Sequence, residues 1–396
     1  MAKVIMHVDL NCFFARCEQI KDPTLVGKPV MIGGFGRRGV VSTCSYEARK
    51  FGVHSGMPSF KAIELCPQII VKPGDYHYYS LMSKEFISFC HTYTRKVEPA
   101  SIDECFMDIT DVIKGVDVNN FLKRFQKELL RKTKLMCSIG VGPTRFLAKM
   151  GSDYKKPMGI TIMRKRDIKE KIYPLKVEDF YGIGMRTTPR LRVIGINTIG
   201  DLSKYLDKNK DEALDLFGKY YYDLKACLNG TSDDKVYLNV DDPKSIGNSM
   251  TLMMDTDDED EILKGLKIMS EEVGARVKAA RMKGKTIQLV LKDTDFKVHL
   301  KSQTLDKAIS ATDEIYQASV NLYNKYFRNK DLEIRLVGVT LSNLSPLREE
   351  NVQLSLFEDA PIDKVNDLIN EVNRKFNKKV VGKASIILKE KKNGNK

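Results

Sequence analysis

Two short stretches decide the fold: VIMHVD, residues 4–9, and SIDE, residues 101–104. Each lies in a run of β-branched and apolar residues, which is typical of a buried strand. An acid ends the first stretch and two acids end the second. If the strands are neighbours, three carboxylates gather as oxygen ligands, the kind of set that Mg²⁺ binds together with water and substrate phosphates. The two stretches therefore predict a sheet with a metal site at one edge.

Length and composition predict a globular protein of about two to four domains. The chain has 396 residues, of which 42% are hydrophobic and 30% charged. It contains no stretch of about 18 apolar residues, so no membrane span is predicted. The first residues lack the apolar core of a signal peptide. We expect a cytoplasmic, nucleoid-associated protein that is a monomer.

Charge and cysteine usage restrict the partners. The net charge is +14, which favours a polyanionic partner such as nucleic acid because Lys and Arg displace counterions from phosphates. A basic solvated surface is the alternative. None of the eight cysteines forms a Cys-x-x-Cys pair, which argues against structural zinc and favours reduced packing residues.

The first half of the chain predicts strands interleaved with covering helices, an α+β arrangement. After the strand at 3–9 comes a small insertion with turn signals, and the sheet then resumes. The later elements are a helix at 76–95, a strand at 101–109, a helix at 117–133, a strand at 136–141, a helix at 143–151 started by Pro143, and a strand at 158–163.

The second half changes character twice. Residues 165–235 carry short amphipathic stretches and almost no strand signal, and 236–245 is a polar linker. A β-α-β-β-α-β order follows to about residue 345, with its first helix at 258–281. The acids of 255–261 fail the EF-hand spacing, since Asp260 stands where glycine is required, so we place them in the first turn of that helix.

Three further motifs could bind a phosphorylated substrate. Two aromatic residues, Phe13 and Phe14, follow Asp9 at a helix start. Tyr46 and Arg49 are three apart, so they share a helix face, and Arg suits phosphate by its fork geometry. Residues 155–159, KKPMG, place a lysine before a turn. Each motif alone is as typical of a solvated face or a plain turn.

Together, in this order, the motifs resemble the Y family of translesion DNA polymerases, of the bacterial polymerase IV/V type, over residues 1 to about 345. The resemblance implies a multidomain right-hand polymerase: a ferredoxin-like palm, small fingers, a helical thumb with a helix-hairpin-helix, and a β-α-β-β-α-β little finger. The implied domains are palm 1–11 and 76–164, fingers 12–75, thumb 165–235, linker 236–245, little finger 246–345, and a tail 346–396.

The resemblance also implies roles for single residues. The catalytic acids are Asp9, Asp103 and Glu104, which with the carbonyl of Leu10 hold two Mg²⁺ ions per active site, and Mn²⁺ can substitute. Phe14 is the steric gate against a ribose 2′-hydroxyl. The incoming deoxynucleoside triphosphate is bound by Cys12, Phe13, Phe14, Thr43, Tyr46, Arg49 and Lys156. Asn11 departs from the family, in which many members have a second aspartate, but that residue is not a metal ligand.

Downstream residues are implied to hold primer–template DNA and a bacterial sliding clamp. The DNA contacts are Gly182 and Gly184 in the thumb hairpin, and Lys244, Ser245, Lys292, Lys297, Lys301 and Arg335 in the little finger. The motif QLSLF resembles a clamp-binding pentapeptide, with contacts from Gln353, Leu354, Leu356 and Phe357.

The resulting hypothesis is a template-directed, error-prone DNA polymerase that copies damaged templates without proofreading. A non-catalytic DNA- and clamp-binding regulator with a palm-like domain remains the alternative, although the intact three acids speak against it. A nucleotide cyclase needs neither the thumb hairpin nor the clamp peptide. The resemblance leaves the polymerase IV and polymerase V branches open.

Overall fold

The computed structural model describes residues 3–238, 242–328 and 330–347. Contacts divide the chain into two compact units, Met1–Val240 and Asp241–Lys396, and each is described by itself. Both units combine strands with helices, so the predicted α+β class is confirmed. Among the described residues, no helix is long and apolar enough to cross a membrane.

The larger sheet of the first unit has five strands, in the order β5-β6-β1-β7-β8. Its elements and the insertion within it are β1 (Ile5–Leu10), α1 (Phe13–Lys21), β2 (Val30–Gly33), β3 (Val41–Cys44), α2 (Tyr46–Arg49), α3 (Ser59–Leu65), β4 (Ile70–Lys72), α4 (Tyr76–His91), β5 (Val97–Pro99), β6 (Glu104–Asp108), α5 (Val118–Thr133), β7 (Cys137–Gly142), α6 (Arg145–Tyr154) and β8 (Ile160–Ile162). Strand β1 is central and runs antiparallel to both β6 and β7.

The two faces of β1 have different tasks because successive side chains point to opposite sides of a sheet. Met6, Val8 and Leu10 join the large core that contains residues of α4 and α5. His7 and Asp9 point to the other face, which α6 partly covers. The end of this second face is where the predicted acids gather.

Helix α6 lies close to the sheet because Gly140 has no side chain. A Cβ added at Gly140 would lie 1.9 Å from the carbonyl oxygen of Ala148 and 2.2 Å from the nitrogen of Ser152. The close approach brings Lys149 and Ser152 over β1, where both contact its polar side chains.

Several boundaries differ from the sequence prediction; the helix predicted at 76–95, for example, ends at His91. Two of the differences have a visible cause. The strand predicted at 101–109 begins only at Glu104, because the N–H groups of Ala100 and Ser101 both donate to the Glu104 carbonyl and close a turn between β5 and β6. The helix predicted at 143–151 spans Arg145–Tyr154, because the side chain of Thr144 accepts from the Leu147 N–H and caps it. Pro143 therefore precedes the cap instead of starting the helix.

The insertion after α1 forms a three-stranded sheet, β3-β2-β4, with its own small core. Residues 165–238 add four helices around a further core, and no strand is assigned within them. These helices are α7 (Thr188–Val193), α8 (Ile199–Lys208), α9 (Lys210–Phe217) and α10 (Tyr220–Leu228). Seven of the eight cysteines are buried and all eight are free.

The second unit has the predicted β-α-β-β-α-β order. Its elements are β9 (Ser245–Thr256), α11 (Glu259–Ala279), β10 (Met282–Asp293), β11 (Val298–Ile309), α12 (Thr312–Tyr326) and β12 (Ile334–Pro346). The sheet order is β11-β10-β12-β9, with every neighbouring pair antiparallel. Asp258 caps α11 and three acids fill its first turn, as predicted for the acidic run.

Candidate active site

Strand pairing brings the predicted acids together. Asp9 lies directly opposite Glu104 in the β1–β6 ladder. Asp103 occupies the turn before β6, where its carbonyl accepts from the Leu10 N–H at 2.9 Å and its carboxylate accepts from the Ser101 hydroxyl at 2.6 Å. Asp103 is thus aligned by a turn and its own serine, not by a strand as predicted.

A buried histidine joins two of these acids. One ligand atom each from His7, Asp9 and Glu104 lies within 4.8 Å of the others, and this is the one cluster of three such groups in the described part of the chain. His7 is fully buried and Asp9 is 7% exposed. The carboxylate oxygens fit a divalent cation of the Mg²⁺ class, which prefers hard oxygen ligands.

Two lysines balance the charge of the acids. The Lys149 ammonium lies 3.0 Å from Asp9 and 2.7 Å from Glu104, and the Lys156 ammonium lies 2.7 Å from Asp9. Both lysines also contact Asp153, at 3.4 and 2.7 Å. Burying paired charges in this way is tolerable because each carboxylate has a cation or a donor beside it.

The surroundings shift the pKa values of Glu104 and Asp103 in opposite directions. The His7 imidazole and the Lys149 ammonium lower the pKa of Glu104 to about 2. Burial raises the pKa of Asp103, and the negative charges of Asp9 and Glu104 raise it further. Burial also lowers the pKa of His7, so the ring is neutral near pH 7. Glu104 is therefore ionised at every pH at which the protein would work.

A cavity of about 240 Å³ opens beside Asp9 and Asp103. Its lining contains all seven residues predicted to bind a triphosphate, namely Cys12, Phe13, Phe14, Thr43, Tyr46, Arg49 and Lys156, together with Leu10, Asn11, Ser42 and Ser55. Sequence segments as distant as 9–14 and 156 therefore meet in one chamber, as the resemblance implied.

Phe14 lines the cavity and packs against two tyrosine rings behind it. The ring of Phe14 stacks on Tyr79 with centroids 4.5 Å apart and planes 14° from parallel, and Tyr76 meets Phe14 edge-on at 5.7 Å. Tyr79 is fully buried and its hydroxyl donates to Glu18 at 2.8 Å. The stack and the edge-on contact support the Phe14 ring from two sides.

Tyr46 and Arg49 share a face of the short helix α2, as their spacing predicted. The Arg49 guanidinium lies 4.9 Å from the centre of the Tyr46 ring. Burial raises the pKa of the Tyr46 phenol to about 12, so the phenol keeps its proton and can donate a hydrogen bond. A guanidinium beside a phenol suits an oxyanion such as a phosphate.

Asn11, which departs from the family pattern, forms two hydrogen bonds through its side-chain amide. Its amide nitrogen donates to the Ser138 hydroxyl at 3.0 Å, and its amide oxygen accepts from the Met158 N–H at 2.8 Å. Because Met158 lies two residues after Lys156, the amide ties the lysine turn to strand β1.

The predicted DNA contacts fall in separate places. In the first unit, Gly182 has a φ of +104°, and a Cβ there would lie 2.1 Å from the Tyr220 hydroxyl, so glycine is required. A Cβ at Gly184 would meet nothing within 4 Å. Both residues lie in the hairpin before α7.

In the second unit, the sheet face opposite the helices carries small residues where β9 pairs with β12, with Gly338 opposite Ser249 and Thr340 opposite Gly247. Lys292 lies on this face, paired with Val298. Lys301 does not, because it is opposite the buried Leu289, and its ammonium lies 5.0 Å from the Tyr326 ring of α12.

The other residues predicted to contact DNA lie at three places in the second unit. Lys244 and Ser245 lie at the start of β9, and Lys297 lies just before β11. Arg335 contacts the Phe296 ring and Asp255. The clamp-binding peptide 353–357 lies outside the described residues.

Sequence reasoning missed His7 and Lys149. His7 had a signal, because it is two residues before Asp9 on the same strand and must share its face. Lys149 had none that was specific, since a lysine on a helix usually faces solvent. Only the close packing of α6 brings it to the acids.

The sequence matches two models of one protein family and is similar to proteins of known name. Models of the impB/mucB/samB family and of its C-terminal domain match residues 8–153 and 243–356. The chain is 35% identical to the DNA polymerase IV of Bacillus velezensis over 398 residues, covering 98% of this chain and 94% of that protein. It is 37% identical to the DNA polymerase IV of Bacillus anthracis over 399 residues, with the same coverage.

Solved structures agree. A Y-family DNA polymerase chimera of Dbh and Dpo4 is similar with a TM-score of 0.78 at 28% identity, covering 87% of this chain and 99% of that one. DinB from Sulfolobus solfataricus is similar with a TM-score of 0.56 at 29% identity, covering 86% and 98%. An insertion ternary complex of Dbh DNA polymerase is similar with a TM-score of 0.59.

Proposed function

The chain belongs to the impB/mucB/samB family, the translesion polymerases of the Y family, and we propose that it extends a primer 3′-hydroxyl with deoxynucleotides by a two-metal mechanism. That it is a DNA-directed DNA polymerase follows from its relatives and structural neighbours. One observation supports the finer mechanism: two acids, Phe14 and the phosphate-binding candidates line a single cavity.

The carboxylates of Asp9, Asp103 and Glu104 and the carbonyl of Leu10 would hold two Mg²⁺ ions, with Mn²⁺ as a substitute. Metal ions held there would supply Lewis-acid chemistry: a lower pKa for the primer hydroxyl and neutralisation of the phosphate charge. The protein's own contribution is positioning and charge. Arg49, Tyr46 and Lys156 orient the triphosphate, Thr43 and the backbone at Cys12–Phe14 add hydrogen bonds, and Phe14 excludes the ribose 2′-hydroxyl.

The test is single-nucleotide primer extension with Mg²⁺. We expect Asp103→Asn and Glu104→Gln each to reduce extension by about 10²- to 10³-fold or more, because charge stabilisation supplies most of the rate, while DNA binding persists. Asp111→Asn is the matched control, because Asp111 is an exposed acid whose ion-pair partners among the described residues are the exposed Lys96 and Lys114. Wild-type rates in either active-site variant would refute the mechanism and favour the non-catalytic alternative.

We propose that copying is error-prone and occurs without proofreading. Within the described residues the active-site cluster is the one group of three His, Cys, Asp or Glu side chains able to hold a metal. A metal-dependent exonuclease site would need another. Removal of a terminal mismatch from a labelled primer by the purified chain would contradict this.

We also propose that residues 353–357 dock on a bacterial sliding clamp, by apolar anchoring of Leu356 and Phe357. Support comes from the sequence motif alone. Deleting 353–357 should shorten the products made on clamp-loaded DNA and leave synthesis without the clamp unchanged. Equal loss in both reactions would indicate a folding role instead.

A further inference from the structure

Two side-chain amides hold one residue of the lysine turn, residues 155–159. The N–H of Met158 donates to Oδ1 of Asn11 at 2.8 Å, and the Met158 carbonyl accepts from Nε2 of Gln126 at 3.0 Å. Asn11 lies between β1 and α1, whereas Gln126 lies on α5. Met158 has a φ of +58°, in the left-handed region that is strained for a residue with a side chain. Contacts from outside the turn are therefore needed to keep Met158 in this conformation.

The backbone groups of the turn decide which end of each amide faces them. A peptide N–H needs an acceptor, so Asn11 presents its oxygen to Met158, and its nitrogen donates to the Ser138 hydroxyl at 3.0 Å. A peptide carbonyl needs a donor, so Gln126 presents its nitrogen, which also donates to the Cys137 carbonyl at 2.8 Å. Both amides are thus anchored on strand β7 as well as on the turn. We call Asn11 and Gln126 the amide clamp.

The clamped residue lies two positions after Lys156, whose side chain lines the nucleotide cavity. On the other side of Lys156, helix α6 ends at Tyr154. At the end of the turn, the Gly159 carbonyl accepts from the Ile139 N–H of β7 at 2.8 Å. The backbone of Lys156 is therefore held between a helix end and a clamped turn, while its long side chain can change partner.

The Lys156 ammonium has two carboxylate partners, Asp9 at 2.7 Å and Asp153 at 2.7 Å. The proposed function assigns Asp9 to metal binding and Lys156 to the triphosphate, so the ammonium has to exchange Asp9 for a phosphate. A lysine carries a compact charge on a flexible stem. Holding the backbone of Lys156 in place keeps that charge within reach of both partners.

We propose that the amide clamp positions Lys156 for the triphosphate of the incoming nucleotide. The inference rests on the proposed function, which makes Lys156 a triphosphate ligand, and it adds two positioning residues to that site. Gln126 acts only through the turn, because it is not among the residues that line the cavity. Asn11 does line the cavity, so the experiment has to separate its action through Lys156 from a direct contact with the nucleotide.

The experiment measures nucleotide affinity with and without Lys156. Gln126→Met keeps the length of the side chain and removes its donors, and Lys156→Met removes the charge. The full-length protein is bound to a primer–template whose primer lacks the 3′-hydroxyl, and the matching deoxynucleoside triphosphate is titrated by the fluorescence of a 2-aminopurine in the template. We expect Lys156→Met to raise the Kd by about 10- to 100-fold, the scale of a hydrogen bond between charged groups. Gln126→Met should raise it by about 3- to 10-fold, the scale of a neutral hydrogen bond.

The double variant tests whether the clamp acts through the lysine. If it does, Gln126→Met changes the Kd by less than about twofold in the Lys156→Met background, because the interaction that it supports is already lost. An undiminished effect in that background would overturn the inference. Gln317→Met is the matched control, since it removes an exposed helix glutamine of the second unit that bonds to Asn321, and it should leave the Kd unchanged.

Single-nucleotide insertion with an ordinary primer gives a second readout. A contact made equally in the ground state and the transition state lowers KM without changing kcat. We therefore expect Gln126→Met to raise the KM for the nucleotide by the same factor as the Kd and to leave kcat within about twofold of the wild type. A lower kcat at unchanged KM would overturn the inference, because it would place the defect at the reacting groups and not at a nucleotide ligand.

Lys156→Met alone separates the inference from the proposed function. If this variant binds the nucleotide as the wild type does, the proposed triphosphate role is wrong and the inference falls with it. If Lys156→Met weakens binding while Gln126→Met keeps the wild-type Kd, only the clamp is wrong.

Asn11→Ala is carried through the same pair of backgrounds, and it takes the place of Gln126→Met if that variant does not fold, as judged by its thermal unfolding midpoint. We expect Asn11→Ala to raise the Kd when Lys156 is present and to have little further effect in Lys156→Met. No effect in the first background, or an equal effect in both, would overturn positioning by Asn11.

Discussion

The ring of Phe14 depends on a second ring for its position, since Tyr79 stacks on it and is itself anchored by Glu18. If Phe14 excludes the 2′-hydroxyl as proposed, Phe14→Ala should raise ribonucleotide incorporation relative to deoxynucleotide incorporation by about 10- to 100-fold, the scale of discrimination by a close apolar contact. The ratio of kcat/KM for the two sugars measures it.

Phe35→Ala is the matched control for this substitution. Phe35 is 68% exposed and is not among the residues lining the cavity, so its loss should leave the sugar ratio unchanged. A sugar ratio that is equally unaffected in Phe14→Ala would remove Phe14 from the gate role.

The acids of the site could be predicted from sequence, and their charge partners could not. Asp9 follows from an apolar strand with a carboxylate near its end, and Glu104 from an apolar strand that begins with one. Asp103 was predicted on a strand but lies in a turn, because backbone N–H groups converge on the next carbonyl. Lys149 reaches the acids only through the close packing of α6, a property of three-dimensional contact that no local pattern encodes.

At the scale of elements, α6 is held against the sheet by the absence of a side chain at Gly140. Gly140→Ala should lower the free energy of unfolding by about 1–3 kcal/mol, the usual cost of overpacking, because the new methyl would meet backbone atoms of α6. If α6 moves away from the sheet to make room for the methyl, Lys149 should move with it, and activity should fall. Urea unfolding of the full chain measures the first effect.

Gly184→Ala provides the comparison, since a Cβ there would meet nothing within 4 Å and its φ is not in the left-handed region. Its unfolding free energy should stay within about 0.5 kcal/mol of the wild type. Equal destabilisation by both substitutions would show that the close approach of α6 is not the cause.

The β10–β11 turn contains an acid whose stabilising effect depends on pH. The contact with His299 lowers the pKa of Asp293 below its ordinary value of 3.8, and Asp293 also accepts from the Lys297 N–H at 2.9 Å. The folded protein binds this proton less readily than the unfolded chain. Its stabilisation is therefore complete above pH 3.8 and is lost as the pH falls through the folded-state pKa.

We therefore expect Asp293→Asn to lower the urea midpoint of the transition that includes the second unit at pH 6. The difference from the wild type should shrink as the pH is lowered below about 4. A difference that is constant with pH would mean that the charge of Asp293 plays no part.

Strand register decides on which face of the second unit's sheet each lysine lies, which the sequence alone could not show. Lys292 and Lys301 are both basic strand residues, and nothing local distinguishes them. Pairing places Lys301 opposite the buried Leu289, and so on the helix side, while Lys292 lies on the open face. A one-residue change of register would exchange the two assignments.

At the scale of the whole molecule, a net charge of +14 predicts DNA binding governed by phosphate contacts. The affinity for a primer–template should fall by about 10³-fold or more between 50 and 200 mM salt, with little dependence on sequence. Lys292→Ala should reduce the slope of log K against log salt by about 1, whereas Lys301→Ala should leave the slope unchanged. A flat salt dependence of the wild type would contradict the proposed interface.

The order of elements along the chain was predictable, and their neighbours in the sheets were less so. Alternating strand and helix patterns identify the pieces, but the five-stranded order β5-β6-β1-β7-β8 depends on long-range pairing. Strand β1 comes first in the chain and lies in the middle of the sheet.

That position has a consequence during synthesis. Strand β1, buried at all six positions, leaves the ribosome with both hydrogen-bonding edges open, and its second neighbour is complete only at Gly142. At about 5–20 residues per second, the wait is on the order of ten seconds. Until then one edge of this buried strand has no neighbour, and the nascent chain is exposed to pairing of that edge with another chain.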